Sequence, residues 1–117
     1  MSSIRRFNIN EINDICVAEF TDHKIAIESD IFDIGNQMYE LVDVKGYRKI
    51  ILNFTNIEYF TAAALGKVIM MDKKMKSAKG KLRLCCIKPD VYEEFQITRL
   101  DKVLDIKDTL EAACLNF

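Results

Sequence analysis

One threonine followed by three alanines, Thr61-Ala62-Ala63-Ala64, marks the place in this chain where residue types and spacing point to function. An apolar run at 49–54 and a polar-to-aromatic link precede it. Behind it Ala64, Leu65, Val68, Met71, Met75 and Ala78 recur at helical spacing. A helix that opens on small side chains leaves its first N–H groups and the positive end of its dipole uncovered. An anion or a flat protein surface can approach such a mouth, while Thr61 has the hydroxyl of an N-cap. On a helical wheel Ala63, Gly66, Lys67, Met70 and Lys74 fall away from the apolar stripe. Small residues permit close backbone approach, and a methionine adapts to a partner surface. Thr61, Ala62, Ala63, Gly66, Lys67 and Met70 therefore form the candidate partner-binding set.

Other chemistry finds little support. His23 is the only histidine, and it falls on a polar stretch away from any candidate nucleophile. The four cysteines, Cys16, Cys85, Cys86 and Cys114, include no CxxC pair, so neither a zinc site nor a redox motif is spelled out. Buried free thiols in a reducing compartment, the cytoplasm, are the expectation, with no metal and no cofactor. Glycines at 35, 46, 66 and 80 cannot make a phosphate-cradling loop. Glu93 with Glu94 and Asp105 with Asp108 read as helix-start and loop charge, not as an acid–base pair. The run Lys73, Lys74, Lys76, Lys79, Lys81 lacks interleaved aromatics for base stacking and reads as a solvated face. With a formal net charge of −1 there is no broad basic field, so neither nucleic acid nor a membrane is expected as partner. No stretch reaches the length of a membrane span, and no apolar run follows Arg5 and Arg6 as a signal peptide would require.

The elements that must position the threonine–alanine corner follow from periodicity. Residues 5–9 and 15–20 alternate as strands around an Asn13-Asp14 turn. Residues 21–28 are expected to be irregular or extended, with Asp22, His23 and Lys24 at a tip. Ser29 or Asp30 offers an N-cap for a helix to residue 44, with Ile31, Ile34, Met38, Leu41 and Val42 inward and Gly46 ending it. The run 49–54 suits a central strand covered on both faces. A helix over 62–78 stops at Gly80. A strand over 81–87 follows, with Leu82, Leu84 and Cys86 on one side. Pro89 opens a short helix with Val91 and Phe95 inward. A strand over 103–106 and a terminal helix capped by Asp108 or Thr109, carrying Leu110, Ala113 and Cys114, complete the chain. The expected class is α/β: a mixed, mostly parallel sheet of about five strands with about four helices, as a single domain over residues 1–117.

This order, with the stretches Ile50-Ile51-Leu52-Asn53 and Asn56-Ile57-Glu58-Tyr59-Phe60-Thr61-Ala62-Ala63-Ala64-Leu65-Gly66, resembles a STAS domain of the stand-alone anti-sigma factor antagonist type. Gly80-Lys81-Leu82-Arg83-Leu84-Cys85 and Phe95-Gln96-Ile97-Thr98-Arg99-Leu100 match as well, and the resemblance runs from about residue 5 to about residue 115. The family's motif at this helix start is Asp-Ser-Ser-Gly-Leu-Gly, whose second serine is phosphorylated by an anti-sigma factor that is also a kinase. By that resemblance Asp falls on Thr61, the first Ser on Ala62, the phosphoacceptor on Ala63 and the Gly on Ala64, while Leu65 and Gly66 agree. Ala63 has no hydroxyl to phosphorylate. The segment Asp22-His23-Lys24 also departs from the family's Gly-x-Leu-Asp loop.

The resemblance implies a non-enzymatic binding module. It would dock an anti-sigma factor or serine kinase-like regulatory protein in a partner-switching pathway that controls transcription. Two alternatives stand beside it: a switch relocated to Thr61 as possible phosphorylation site, and a small-ligand or redox protein using the cysteines or the helix mouth.

Overall fold

The computed structural model describes residues 5–117. The expected span 1–117 thus includes four residues that lie outside the described ones. Two strands, β1 (Phe7–Ile12) and β2 (Ile15–Phe20), form an antiparallel hairpin around Asn13, whose φ of 58° is the left-handed value such a turn demands. β3 (Lys24–Ile25), α1 (Glu28–Asp43), β4 (Lys49–Asn53), β5 (Tyr59–Phe60) and α2 (Ala62–Ser77) follow. The chain continues through β6 (Lys81–Cys85), α3 (Pro89–Ile97), a 3₁₀ turn at Leu100–Lys102, β7 (Asp105–Lys107) and α4 (Leu110–Cys114). The main sheet has the order β1-β2-β4-β6-β7, and every pair after the hairpin is parallel.

One rung shows how the sheet is built. Ala18, Leu52, Leu84 and Ile106 lie side by side across four strands and face α1, α2 and α3. The neighbouring rung, Val17, Ile51, Arg83 and Asp105, points to the opposite face, where α4 packs. Both faces of β4 are therefore buried, which is why its sequence is a continuous apolar run. The helix-side core is aromatic at one end: Phe20 touches Phe7 and Phe54 at 4.7 Å between centroids, and Phe54 meets Phe60 and Phe95 edge-on. Val91 and Phe95 pack inward as their spacing requires.

Several boundaries differ from the sequence reading, each for a physical reason. The first strand runs over Phe7–Ile12, not 5–9, because it pairs residue for residue with β2 up to the turn. The N-cap of α1 is Ile27, not Ser29 or Asp30, and it makes no side-chain capping bond. Asp30 instead binds Arg6. β4 ends at Asn53, whose side-chain oxygen accepts from the Thr55 N–H at 2.9 Å and turns the chain out of the sheet. β6 ends at Cys85 because Cys86 is left-handed, at φ 61°. Cys86 consequently leaves the Leu82 and Leu84 side and packs against the cluster under α4. The last strand is Asp105–Lys107, and Thr109 rather than Asp108 caps α4 through the Ala112 N–H at 3.0 Å. Within the stretch read as irregular or extended, Lys24–Ile25 form a two-stranded parallel ladder with Tyr59–Phe60.

At the end of α2 the left-handed turn and the close backbone approach fall on two neighbouring residues. The Lys79 N–H bonds the Lys76 carbonyl and the Gly80 N–H bonds the Met75 carbonyl, a Schellman closure. Its left-handed residue is Lys79, at φ 63°. Gly80 serves close approach instead: a Cβ there would stand 2.8 Å from the Arg48 carbonyl oxygen and 3.2 Å from Arg48 Cα. Gly80→Ala is therefore expected to destabilise the fold by about 2 kcal/mol or more, since rigid backbone must move. Lys79→Gly should stabilise by about 0.5–1 kcal/mol by relieving the left-handed side chain. Urea unfolding with an unchanged m-value checks both.

Candidate functional site

The mouth of α2 is held from beneath. Phe60 is buried beside Phe20 and Phe54. The Thr61 N–H donates to the Ile25 carbonyl at 3.2 Å, which ends the β3–β5 ladder. The Thr61 hydroxyl then accepts the Ala64 N–H at 3.3 Å, the capping bond expected of it. Further support comes from the preceding loop. Asn56 Nδ2 donates to the Phe20 carbonyl at 2.9 Å, and the His23 carbonyl accepts from the Glu58 N–H at 2.6 Å. Lys88 Nζ donates to the Thr55 carbonyl. His23 is an exposed loop residue whose ring lies 3.4 Å from a Glu58 carboxylate oxygen.

Of the three alanines, Ala64 turns into the core, while Ala62 and Ala63 are exposed, as are Gly66 and Met70. Lys67 is half-buried because its stem crosses α1 over Gly35, where an added Cβ would sit 2.9 Å from Lys67 Cδ. Lys74 bridges to Asp43 at 2.9 Å and stands 5.3 Å over the Tyr39 ring, so it braces α1 against α2 as well as facing water. Asp72, beyond the apolar stripe read from sequence, is buried and paired with Lys76.

Beside the alanines lies an open groove of about 1030 Å³ between the first turns of α1 and α2. Ala26, Ser29, Ile31, Thr61, Ala63 and Lys67 line it, with Phe32 60% exposed at its edge. On the other side of the mouth is a smaller cleft of about 220 Å³ where Glu58, Asp90 and Glu94 surround Thr61 and Ala62. Glu28 and Asp33 contribute carboxylates to the groove. No acidic residue occupies the first turn of α2 itself. The dipole end is thus bare, but its surroundings are anionic, which works against a bound anion.

What fixes the α1 side of the groove has no signature in residue spacing. Arg6 is nearly buried, and its guanidinium binds Asp22 at 2.9 Å, Asp30 at 2.8 Å and Asp33 at 3.3 Å. Burial works against its charge, but the three carboxylates outweigh that and hold its pKa above the ordinary value. One side chain therefore ties β1, the loop after β2 and the first turns of α1. A basic residue beside a strand start and three dispersed aspartates carry no periodic signature, so sequence spacing could not assemble them.

The thiols fall in two environments. Cys16 is buried in the helix-side core, and burial pushes its pKa up to about 11. Cys85 is buried under α4 and is also pushed up, chiefly by burial and then by the Cys86 thiol. Cys86 and Cys114 are half-buried, and all four are free. Among the described residues no group of three or more His, Cys, Asp or Glu side chains is placed to hold a metal ion. No helix among them is long and apolar enough to cross a membrane.

A mixed five-stranded sheet with an antiparallel edge hairpin, three helices on one face and a bare helix mouth beside a groove defines an α/β module with an open surface. The chain belongs to the STAS domain family, whose model matches residues 8–113. It is 32% identical over 73 residues to BtrV of Bordetella bronchiseptica, provisionally assigned as an anti-sigma factor antagonist, a match covering 62% of this chain and 63% of BtrV. A Thermotoga maritima protein with the same provisional assignment is 30% identical over 69 residues, covering 59% and 61%. The chain thus spans about three fifths of the length of the curated relatives it matches. Among solved structures, a Thermotoga maritima protein of that assignment superposes with a TM-score of 0.81 at 22% identity, covering 92% of this chain and 90% of that one. The anti-sigma factor antagonist SpoIIAA in its unphosphorylated form gives a TM-score of 0.69 at 14% identity, covering 94% of each chain. At these identities the structures speak for the fold.

Proposed function

We propose that this chain is a non-enzymatic protein-binding module acting as an anti-sigma factor antagonist. It docks a kinase-type anti-sigma factor, or a related regulator, through Thr61, Ala62, Ala63, Gly66, Lys67 and Met70 and the adjoining groove. The observation that carries this reading is the exposure of Ala62 and Ala63 on a rigidly supported ledge beside an open apolar groove. The antagonist assignments of its relatives support it. With alanine at the position where the family resemblance puts the phosphoacceptor, the module is constitutively competent to bind. It works as one domain in the cytoplasm.

A switch relocated to Thr61 is the weaker reading. Its hydroxyl already caps α2, and a phosphate there would face Glu58, Asp90 and Glu94 across the small cleft. That like-charge crowding opposes the favourable helix dipole.

The test is co-purification from the source cell with wild-type and Ala63→Glu baits, followed by intact-mass analysis after incubation with the captured protein and ATP. An ATP-binding regulator retained by wild type and lost from the variant is expected. Wild type should gain no phosphate, and Ala63→Ser should gain one. Phosphate on Thr61 of wild type would replace this reading with the relocated switch. Equal capture by both baits would remove the site.

A further inference from the structure

Three of the four thiols gather on one side of the sheet, and the docking reading uses none of them. Cys85, Cys86 and Cys114 belong to the cluster beneath α4, whereas Cys16 lies in the helix-side core. Cys85 is fully buried, while Cys86 and Cys114 are half-buried and partly open to solvent. Two features of the backbone bring them together. Cys86 is left-handed, at φ 61°, a conformation unfavourable for any residue with a Cβ. It turns this thiol under α4 instead of onto the face that strand alternation would give it. Cys114 is held from both sides, because Arg83 Nη1 donates to the carbonyls of its neighbours Ala113 and Leu115 at 2.9 and 2.7 Å. Its seat is therefore beside β6, the strand that ends in Cys85.

Within the trio the roles differ. Burial pushes the Cys85 thiol up and keeps it protonated, and it donates a hydrogen bond to Cys86 Sγ. A protonated, enclosed sulfur is a poor nucleophile. Cys86 and Cys114 remain as the reactive pair, each packed against the cluster that contains Cys85. We propose that Cys86 and Cys114 are a site of reversible oxidation, at which a peroxide closes a disulfide that pins α4 to the end of β6. The peroxide O–O bond breaks as the Cys114 sulfur attacks it. Sulfur is oxidised to the sulfenic acid, the peroxide is reduced, and its leaving hydroxide takes the thiol proton as water. The Cys86 sulfur then attacks the sulfenic sulfur. The S–S bond forms, the S–O bond breaks, and the released hydroxide takes the Cys86 proton as a second water. Two thiols and one peroxide thus give one disulfide and two waters. Closing the bridge takes side-chain rotation and a small slide of α4, a helix of five residues. Where a glutathione pool keeps thiols reduced, exchange reopens the bridge, so it lasts only while oxidant is present.

The test treats the reduced, folded chain with hydrogen peroxide and maps its thiols by mass spectrometry. Loss of two hydrogens is expected, with one peptide joining Cys86 to Cys114 and with Cys16 and Cys85 still free. Dithiothreitol should reverse the change. The bridge closes a loop of about 30 residues, so it should raise the melting temperature by roughly 5–15 degrees. Cys114→Ser should form no bridge. Cys86→Ser should stop at a sulfenic acid on Cys114, trapped by dimedone, because the second sulfur is missing. A bridge that includes Cys85 or Cys16 overturns the proposal, as does one that joins two chains. So does a chain that unfolds before any thiol pair is oxidised. Should either serine variant fail to fold, the wild-type map alone decides. Regulator capture at the mouth of α2 is read separately, since the ledge lies on the opposite face of the sheet.

Discussion

Ala63→Glu is expected to weaken regulator binding at least ~100-fold, a loss of about 2.7 kcal/mol or more, while the melting temperature stays within about two degrees of wild type. The two halves of that expectation have separate causes. Ala63 is exposed on the first turn of α2, and its side chain points along the groove wall rather than into the core. A glutamate there displaces nothing in the fold, and its charge sits at the favourable end of the helix dipole, where α2 has no acid of its own. A partner pressed against the ledge would meet a longer side chain and a carboxylate deprived of water, with Lys67 one turn on as its only neighbouring cation in the groove. Glu28 and Asp33 already load the groove with negative charge, so the new carboxylate finds no cation nearer than Lys67. Calorimetric titration of the captured regulator, paired with thermal melts of each variant, measures both halves. Affinity held within threefold of wild type would show that the ledge is not the contact.

Arg83→Met should destabilise the fold by about 3 kcal/mol and raise the labelling rate of Cys85 more than tenfold at neutral pH. Arg83 lies on the sheet face away from α1 and α2, in the rung Val17–Ile51–Arg83–Asp105. Its Nε donates to Asp105 at 2.9 Å. Its Nη1 donates to the carbonyls of Ala113 at 2.9 Å and Leu115 at 2.7 Å, and its Nη2 to that of Asn116 at 3.2 Å. The guanidinium also lies 4.6 Å from the Phe117 ring centroid. One cation thus closes the end of α4, a helix of five residues too short to hold itself. Methionine keeps most of the stem's apolar contact and removes every donor. The helix then loosens and uncovers Ile51 and Cys85, both fully buried in the native chain. In wild type, burial keeps the Cys85 thiol protonated and inaccessible. Thiol labelling followed by peptide mapping separates this local opening from global unfolding, because Cys16 in the opposite layer should stay protected.

The fold was legible to the extent that it obeys periodicity. The stripe Ile31, Ile34, Met38, Leu41 and Val42 is the buried face of α1, and the continuous run after Lys49 is the strand covered on both sides. Thr61 as the cap of α2 was legible because a threonine before a helical repeat has one local use. The misread features were those where one residue type serves two purposes. Gly80 reads as the stop of α2 and its N–H does close the helix onto the Met75 carbonyl, but the left-handed residue is Lys79, and Gly80 also makes room for the Arg48 backbone. Asp30 looked like a cap and is an Arg6 partner. Cys86 was given the face of Leu84 by strand alternation, but the strand ends one residue earlier.

The amino-acid order by itself determined the succession of strands and helices, their buried stripes and the hydroxyl-poor opening of α2, because these depend on neighbours within a few positions. Tertiary structure alone decided the three-aspartate clamp on Arg6, the ladder that seats Thr61, the Arg83 tether on α4 and the groove beside Ala63. Each joins residues distant in the chain, Arg6 to Asp33 or Arg83 to Asn116, and no local spacing rule encodes which distant polar groups chain packing will bring within hydrogen-bonding reach of one another.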